Sequence, residues 1–457
     1  MAAGQRRTKE RQTSEPRQCP PGLLARELAV ELIAGVLDRG RTFDEALAYG
    51  MARQEYRELA GNDRGLARLI AATVLRRHGQ LTNIIGTFIE RPLPRDRGRL
   101  TSILLAAAAQ LVFLGSAPHA VISLAVEQAR RDPRARRFDR LTNAVLRRVS
   151  ERGAEIAAAQ DPVRLNVPDW LRNRWSAAYG EATARLIGEA SLREAPLDIT
   201  AKSEPAVWAK RLGGILLPTG SVRLRAEGRI ENLDGFDEGA WWVQDAAAAL
   251  PAKLVGNVEG QQIADLCAAP GGKTAELAAA GGHVSAVEVD ERRIERLKAN
   301  LARLRLEAEV VHADAAEWNP GRTFDAILLD APCLSTGTIR RHPDILHLKR
   351  ESDIDRLCAG QARLLANAAR LVKPGGLIVY CTCSLEPEEG PQQIAQFLAR
   401  TGEAFERVPI EPGEAGIAQE WITPDGDLRT FPFHLRLDDQ AMSGMDGFYA
   451  ARLTRRC

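Results

Sequence analysis

Two cysteines in the second half of the chain lie directly after apolar segments, where a thiol can act as a nucleophile. Cys333 ends the motif Asp330-Ala331-Pro332-Cys333, and Cys383 belongs to Tyr380-Cys381-Thr382-Cys383-Ser384. A thiolate can add to an electron-poor carbon and form a covalent intermediate. For each cysteine taken alone, inert packing inside a strand is the competing interpretation. Cys381 would point to the same side of a strand as Cys383, and we expect it to serve packing.

A glycine turn gives a second set of candidate residues. Its sequence is Asp265-Leu266-Cys267-Ala268-Ala269-Pro270-Gly271-Gly272-Lys273-Thr274. Glycines allow the backbone to approach a ligand closely and leave N–H donors at the start of a helix. The dinucleotide pattern GxGxxG is absent, and Cys267 occupies a position that must be glycine in a phosphate-binding P-loop. Phosphate binding by this turn is therefore disfavoured.

Two acids follow the turn at the ends of later predicted strands. Glu288 ends the second strand, where an acid can accept hydrogen bonds from two ribose hydroxyls. Asp314 ends the third strand and can reach an adenine amino group. Each acid alone would more often be a surface or helix-capping residue. In this order after the glycine turn they describe an adenosine pocket, and the arrangement suits S-adenosylmethionine (SAM).

The elements that must position these residues alternate between strand and helix from about residue 246. Strand patterns occur at 263–266, 283–289, 309–312, 324–329 and 375–380, and helical patterns at 274–280, 291–304 and 354–372. Such alternation predicts a parallel, doubly wound sheet. Ligands bind outside the carboxyl ends of the strands in these sheets. Both cysteines, the glycine turn and both acids fall at such ends.

The first half of the chain has a different pattern. Residues 23–152 have apolar side chains at helical spacing, interrupted at 91–94 and 115–118, and no strand pattern. This predicts a compact helical bundle. Residues 160–245 combine a helical pattern with short strand patterns. We expect a small α/β connecting domain there.

Charge is distributed unevenly along the 457 residues, whose net charge is +2. Residues 1–160 contain 27 Lys and Arg against 17 Asp and Glu, whereas the remainder contains 35 against 43. A basic first part suggests contact with a polyanion such as nucleic acid. The competing interpretation is a solvated helical surface.

Composition excludes several classes of protein. The seven cysteines form no regular framework, which predicts free thiols in a reducing cytosol. No CxxC pair is present and the histidines do not cluster near the cysteines, so we expect no metal site. No apolar run approaches the ~20 residues of a membrane span. Residues 1–22 are basic without a following apolar stretch, and we expect a flexible tail rather than a secretory signal.

Several motifs together resemble the NOL1/NOP2/Sun family of RNA cytosine-5 methyltransferases. They are the glycine turn, the Cys333 motif with the following Arg340-Arg341-His342-Pro343-Asp344-Ile345, and the Cys383 motif followed by Pro387-Glu388-Glu389. Val243-Gln244-Asp245 and Asp446-Gly447-Phe448-Tyr449 match further segments of that family. The helical region resembles the NusB-like RNA-binding fold, most distinctly at 141–148, with a dimerisation module as the alternative. This narrows the resemblance to the RsmB/Fmu (Sun) subgroup of bacterial rRNA enzymes.

The resemblance implies a multidomain architecture. An all-α NusB-like bundle is expected at 23–155, and a small α/β, RRM-like connector at 160–242. An α/β Rossmann-like class I SAM methyltransferase domain is expected at 243–457. We take these boundaries as predictions.

The resemblance also implies roles for single residues. Cys383 is the nucleophile, and Cys333 assists release of the enzyme. The cofactor-binding residues are Cys267, Ala268, Ala269, Pro270, Gly271, Gly272, Lys273, Glu288, Asp314 and Asp330. Asp330 and Lys273 are also candidate contacts to the target base. Arg340 and Arg341 are candidate contacts to RNA phosphate, with plain surface charge as the alternative.

The chemistry agrees with these roles. C5 of cytosine is too weak a nucleophile to take a methyl group directly, and addition of a thiolate at C6 activates it. A base must then remove the C5 proton before the sulfur can leave, and Cys333 is placed to do or assist this. The target base must be unpaired or flipped out of a helix to reach such a pocket.

We therefore predict a SAM-dependent enzyme that methylates C5 of a specific cytosine in 16S (small-subunit) rRNA. It is expected to be a cytoplasmic monomer whose partner is RNA, without metal or membrane. A tRNA cytosine-5 methyltransferase would share the chemistry, and the NusB-like region disfavours it. A non-catalytic RNA-binding assembly factor is the third alternative, and the intact cysteines and glycine turn speak against it.

Overall fold

The computed structural model describes residues 20–225 and 228–457. Of the tail predicted for residues 1–22, residues 1–19 lie outside the described residues. The first domain is a bundle of eight helices, as the apolar spacing predicts. They are α1 (Leu23–Leu37), α2 (Phe43–Ala52), α3 (Gln54–Arg57), α4 (Gly61–Arg76), α5 (His78–Thr87), α6 (Leu100–Val112), α7 (Pro118–Arg131) and α8 (Asp139–Ala159).

Burial follows the composition of these helices. Ten of the 13 residues of α6 are buried, because its sequence is almost entirely apolar and the helix lies at the centre of the bundle. In contrast, α8 buries one face only and exposes its remaining, arginine-rich faces. The burial pattern confirms the all-α first domain.

A connecting region follows, made of three helices and a small sheet. The helices are α9 (Pro162–Asn166), α10 (Asp169–Tyr179) and α11 (Glu181–Ser191). The sheet contains β1 (Leu197–Ala201), β2 (Ile215–Leu216), β3 (Val222–Leu224) and β4 (Trp241–Val243), with α12 (Pro205–Arg211) after β1. The strands are antiparallel in the order β2-β3-β1-β4, which agrees with the expected RRM-like connector. The predicted boundary at residue 242 falls within β4.

The third region contains the predicted parallel sheet. Its elements are α13 (Leu250–Lys253), β5 (Gln262–Leu266), α14 (Gly272–Ala279), β6 (His283–Glu288), α15 (Glu291–Leu304), β7 (Glu309–His312), β8 (Phe324–Asp330), α16 (Ile345–Leu348), α17 (Ile354–Leu371), β9 (Val372–Thr382) and α18 (Pro391–Thr401). The strands β9-β8-β5-β6-β7 are parallel neighbours in this order. The Rossmann-like expectation is confirmed, and the carboxyl ends of these strands meet along one edge.

Three later strands extend this sheet beyond β9. They are β10 (Phe405–Arg407), β11 (Leu428–Arg429) and β12 (Tyr449–Arg455). β12 pairs antiparallel with β9, and β10 and β11 pair antiparallel with β12. The sequence analysis did not predict these strands. They matter for the site because β12 brings the segment 446–449 beside β9.

The segment after Cys333 contacts the first domain. The backbone N–H of Phe43 donates to Oδ2 of Asp344 at 3.1 Å. Nη2 of Arg76 donates to the carbonyl of Arg340 at 3.0 Å. The bundle and the region with the parallel sheet are therefore joined through the loop that carries Cys333.

Two classes of feature are absent from the part of the chain that the structure describes. Within residues 20–225 and 228–457, no helix combines the length and apolar character needed to cross a bilayer. Within the same ranges, no three His, Cys, Asp or Glu side chains come together in a way that could hold a metal ion.

Candidate active site

The two cysteines singled out by the sequence lie side by side. Their Sγ atoms are 3.5 Å apart. Cys333 is 8% exposed, and Cys383 is half-buried. β8 and β9 are parallel neighbours with Asp330 opposite Cys381, so both chains leave the sheet at the same edge. This common exit brings the thiols together.

Backbone hydrogen bonds hold the two cysteine segments in register. The N–H of Ala331 donates to the carbonyl of Cys381, and the N–H of Gly337 donates to the carbonyl of Cys383, each at 2.9 Å. The N–H of Gly447 donates to the carbonyl of Gly337, also at 2.9 Å. A Cβ at position 337 would collide with the carbonyl oxygen of Gly447, so this approach requires glycine. The segment 446–449 thus supports the Cys333 loop.

The Cys333 thiol lies in surroundings that favour its neutral form. The hydrogen bond to Cys383, burial, and the charge of Cys383 raise the pKa of Cys333 well above its ordinary value. Its S–H can donate to the sulfur of Cys383.

Lys273, Asp330 and Cys381 form a polar cluster beside the thiols. Lys273 Nζ lies 2.7 Å from Asp330 Oδ2, and Cys381 Sγ lies 3.6 Å from Asp330 Oδ1. Lys273 Nζ also lies 5.2 Å from the ring centroid of Phe448, within cation–π range. Burial opposes the charge of Lys273, but Asp330, Cys381 and Asp265 together outweigh it and raise the pKa of the lysine. The side chain of Asp330 remains 33% exposed and can face a ligand.

The glycine turn links β5 to α14. Cys267 and Gly271 have φ angles of 64° and 101°, and the second of these favours glycine. The Thr274 hydroxyl donates to Asp265 Oδ2 at 2.5 Å. Burial raises the pKa of Asp265 to about 7, and burial likewise raises the pKa of the Cys267 thiol. Cys267 is thus a neutral thiol in the turn.

The two acids of the predicted adenosine pocket lie at the ends of neighbouring strands. Glu288 is 2% exposed; its Oε1 accepts the N–H of Val289 at 3.0 Å, and its Oε2 lies 3.1 Å from Arg293 Nη1. Asp314 is exposed, and its Oδ1 accepts the N–H of Ala316 at 2.9 Å. Both carboxylates keep lone pairs that can accept further hydrogen bonds.

These residues fit a methyl donor that contains a nucleoside. The carboxylates of Asp330, Glu288 and Asp314 follow three strands of one sheet edge and can accept hydrogen bonds from amino and hydroxyl groups. Val289, which the sequence analysis did not select, follows Glu288 and is 61% exposed. An exposed apolar side chain beside two acids suits the flat adenine ring.

Arg340 and Arg341, the candidate phosphate contacts, both lie against acceptors of this chain. Arg340 is 2% exposed, and its guanidinium donates to three backbone carbonyls in the segment 432–445. Nη2 of Arg341 lies 2.5 Å from Asp245, and its Nε lies 3.3 Å from Asp446. Both guanidinium groups are engaged by acceptors of this chain, since the loop after Cys333 turns inward.

Comparisons with known proteins identify the family. The sequence model of the family described as 16S rRNA methyltransferase RsmB/F matches residues 252–454, and that of the NusB family matches residues 23–151. A ribosomal RNA small subunit methyltransferase B from Xanthomonas campestris is 37% identical over 400 residues, which cover 84% of this chain and 89% of the relative. A protein of the same name from Shewanella oneidensis is 32% identical over 94% of this chain and 99% of its own length. The chain belongs to the RsmB/F family of 16S rRNA methyltransferases.

A solved structure shows a similar methyltransferase fold. A methyltransferase homologue from Pyrococcus horikoshii is 28% identical, with a TM-score of 0.53 over 65% of this chain and 97% of that chain. Family membership confirms the resemblance inferred from the motifs and the NusB-like first domain. It also confirms the class of enzyme, a SAM-dependent methyltransferase.

The RsmB/F site contains acids whose contacts the sequence did not reveal. Glu389 is fully buried and accepts the N–H of Leu334 at 3.1 Å and Nε2 of Gln361 at 2.9 Å. Glu386 is fully buried and accepts Nε1 of Trp175 at 3.1 Å. The sequence signal for these acids was the cluster of glutamates after the second cysteine, to which the sequence analysis assigned no role.

Proposed function

We propose that this chain transfers a methyl group from SAM to C5 of one cytosine in 16S rRNA, through a covalent bond between Cys383 and C6. The observation that carries the proposal is the pair of thiols 3.5 Å apart at the carboxyl edge of the sheet. Two thiols allow one sulfur to attack while the other manages a proton. The names of the relatives support the substrate.

In the attack step, the thiolate of Cys383 adds to C6 of cytosine. The electrons of the C5–C6 double bond then make C5 nucleophilic. Cys333 suits a waiting role, because its raised pKa keeps it protonated while Cys383 ionises. Its S–H can donate to the Cys383 sulfur and stabilise the thiolate.

Asp330 and Lys273 suit recognition of the base. The partly exposed carboxylate of Asp330 can accept a hydrogen bond from the N4 amino group of cytosine. Negative charge develops on the ring when sulfur adds to C6. The ammonium of Lys273, fixed 2.7 Å from Asp330, favours that charge.

SAM, when bound, supplies the electrophilic methyl group. Residues 267–273 would lie against it, with the backbone N–H groups at the start of α14 available as donors. Glu288 would accept hydrogen bonds from the ribose hydroxyls, and Asp314 from the adenine amino group. Val289 would contact the adenine ring.

Release needs a base, because C5 carries both a methyl group and a proton after transfer. The base removes this proton, its bonding electrons re-form the C5–C6 double bond, and the C6–S bond breaks to return the Cys383 thiolate. We assign this step to Cys333. Once the Cys383 sulfur is bound to C6, the hydrogen bond and charge of Cys383 no longer raise the pKa of Cys333. Cys333 can then lose its own proton to solvent, and the resulting thiolate accepts the proton from C5.

The first domain supplies an RNA-binding surface in this proposal. Arg140, Arg147 and Arg148 are exposed on α8, and Arg136 is exposed just before it. Positions 140, 144, 147 and 148 share one side of a helix, so these cations lie close together. Such clusters bind phosphates by releasing counterions. The proposed division into 23–155, 160–242 and 243–457 assigns this surface to the first domain.

The mechanism is tested by comparing the wild-type chain with Cys383→Ala and Cys333→Ala on 16S rRNA with labelled SAM. Cys383→Ala should lose methyl transfer by about a thousandfold or more, because the nucleophile is gone. Cys333→Ala should accumulate a covalent protein–RNA complex that survives a denaturing gel. Cys457→Ala, which removes an exposed thiol, is the control and should behave like wild type. Wild-type methylation by Cys383→Ala would contradict the mechanism.

The substrate is tested separately by bisulfite sequencing of total RNA from a strain that lacks the gene. Loss of one modified cytosine in 16S rRNA supports the proposal. Loss of a modified cytosine in tRNA would instead identify tRNA as the substrate. Absence of SAM binding in calorimetry would favour a non-catalytic assembly factor. We place the enzyme in the cytoplasm as a monomer, and sedimentation at micromolar concentration tests the second point.

A further inference from the structure

A buried carboxylate connects the segments that carry the two thiols. Glu389 is completely buried, and its Oε1 and Oε2 lie 3.1 and 3.2 Å from the N–H of Leu334, the residue after Cys333. Its backbone carbonyl accepts the hydroxyl of Tyr380 on β9 at 2.8 Å. One residue therefore fastens the Cys333 loop to the strand that leads to Cys383.

Gln361 on α17 completes the attachment. Its Nε2 donates to Glu389 Oε1 at 2.9 Å and to the carbonyl of Pro332 at 2.9 Å. The peptide groups on both sides of Cys333 are thus held, one by Gln361 and one by Glu389. These bonds fix the backbone from which the Cys333 thiol projects toward Cys383.

The partners of Glu389 explain why the residue is an acid. They are the N–H of Leu334, the amide of Gln361 and the hydroxyl of Ser384, all of which are neutral donors. A carboxylate only accepts hydrogen bonds and can meet all three, whereas a glutamine would turn an NH2 group toward a donor. Burial raises the pKa of Glu389, which reflects the free energy needed to keep a charge there.

We infer that Glu389 is a positioning residue for the release step, which fixes the Cys333 thiol against Cys383 through Leu334 and Gln361. The inference rests on the proposed roles of the two thiols. If the loop loosens, Cys333 removes the C5 proton more slowly, and the C6–S bond with Cys383 persists. The attack step depends less on Glu389, because the Cys383 carbonyl is held separately by the N–H of Gly337.

The central test is Glu389→Gln, which keeps the shape of the side chain and changes its acceptors. Glu388→Gln is the matched control, since it makes the same change one residue earlier in an ion pair with Arg174 at 2.5 Å. Each chain is incubated with SAM and a 16S rRNA transcript. The covalent complex should last about tenfold longer in Glu389→Gln, and multiple turnover should fall by about the same factor. The first methyl transfer should slow by a much smaller factor, because the attack uses Cys333 only as a hydrogen-bond donor to the Cys383 sulfur. Glu388→Gln should match wild type in all three measurements.

A second variant, Gln361→Met, removes the other attachment and should also lengthen the life of the complex. Thermal unfolding establishes which variants are folded. Combining Glu389→Gln with Cys333→Ala should add nothing to Cys333→Ala alone, because both changes act on one step.

Several results would overturn the inference. One is a folded variant whose covalent complex lasts no longer than that of wild type. Another is loss of the first methyl transfer. The third is failure of both Glu389→Gln and Gln361→Met to fold. A Cys333→Ala chain that forms no lasting complex is a different result. It would overturn the proposed release role itself.

Discussion

Among single residues, Asp265 in the glycine turn makes the stability of the fold depend on pH. Its carboxyl is fully buried beside the Thr274 hydroxyl, and burial raises its pKa to about 7. An aspartate in the unfolded chain titrates near pH 4. Between about pH 4 and about pH 7, the folded chain therefore carries a proton on Asp265 that the unfolded chain lacks. The contribution of Asp265 to the free energy of unfolding therefore falls as pH rises from about 4 to about 7, and is constant above.

Asp265→Asn should remove this titration. The free energy of unfolding of the variant relative to wild type should increase from pH 4 to pH 7, by at most roughly 4 kcal/mol. Urea unfolding of both chains at several pH values measures this difference in the free energy of unfolding. Asp425→Asn changes an acid whose side chain is 64% exposed and should give a flat difference. A flat difference for Asp265→Asn as well would refute the assignment.

Residue types and their spacing predicted part of this site. Cys333, Cys383 and the glycine turn could be selected because each follows an apolar segment that reads as a strand. Glu389 could not be assigned, because the N–H that it accepts lies 55 residues away at Leu334. The ion pairs of Arg341 with Asp245 and Asp446 could not be predicted for the same reason, because these acids are distant in sequence.

At the scale of elements, an ionic network joins the connector to the catalytic half. Arg341 contacts Asp245 and Asp446, and it lies 3.9 Å from Asp198 on β1. Asp198 also pairs with Arg223 on β3 at 2.7 Å, and both side chains of that pair are fully buried. Burial raises the pKa of Asp446 to about 7 even though Arg341 opposes this shift. The network places the family segments around 245, 341 and 446 in one cluster.

Arg341→Met should destabilise the fold by about 3 kcal/mol or more, because it leaves buried carboxylates without their cation. Arg356→Met is the control: that side chain is 75% exposed and pairs with Asp353, and its loss should cost about 0.5 kcal/mol or less. Urea unfolding at pH 7 compares the two. If Arg341→Met instead keeps wild-type stability and weakens RNA binding with a reduced salt dependence, the result would support Arg341 as the phosphate contact expected from the sequence.

Strands and helices differ in how far the sequence predicts them. The inner parallel strands β5, β6 and β8 are mostly buried apolar runs, whereas β7 lies at the edge of the sheet and has no buried residue. The helix α15 begins and ends at the predicted residues Glu291 and Leu304. β10 and β11 contain three and two residues, too few to show a period. They exist as strands because β12 lies next to them, and that pairing depends on distant parts of the chain.

At the scale of the whole molecule, the loop that carries Cys333 is also an interface with the first domain. Asp344, which follows the Cys333 loop, accepts the N–H of Phe43 at the start of α2. His347 on α16 lies 2.9 Å from the carbonyl of Leu75. An acid at a helix N-terminus is favoured by the helix dipole, so Asp344 stabilises the contact. The NusB-like domain is therefore attached to the loop that carries one of the thiols.

Asp344→Ala should release this contact. The Phe43 amide would lose its acceptor, and its hydrogen exchange should accelerate about tenfold, the equivalent of about 1.4 kcal/mol. Asp44→Ala is the control, because Asp44 is exposed in the same first turn of α2. Unchanged exchange at Phe43 would mean that the interface is held elsewhere.

The position of β12 in the sheet has a consequence for how the protein is made. A nascent chain leaves the ribosome from its N-terminal end, so the NusB-like bundle and the five parallel strands emerge before residues 447–455. Until those residues appear, β9 lacks its antiparallel neighbour and β10 lacks its partner. Both strands then present unpaired edges that invite association between chains. Synthesis of this enzyme therefore includes an interval in which its catalytic sheet is nearly complete and still prone to aggregate.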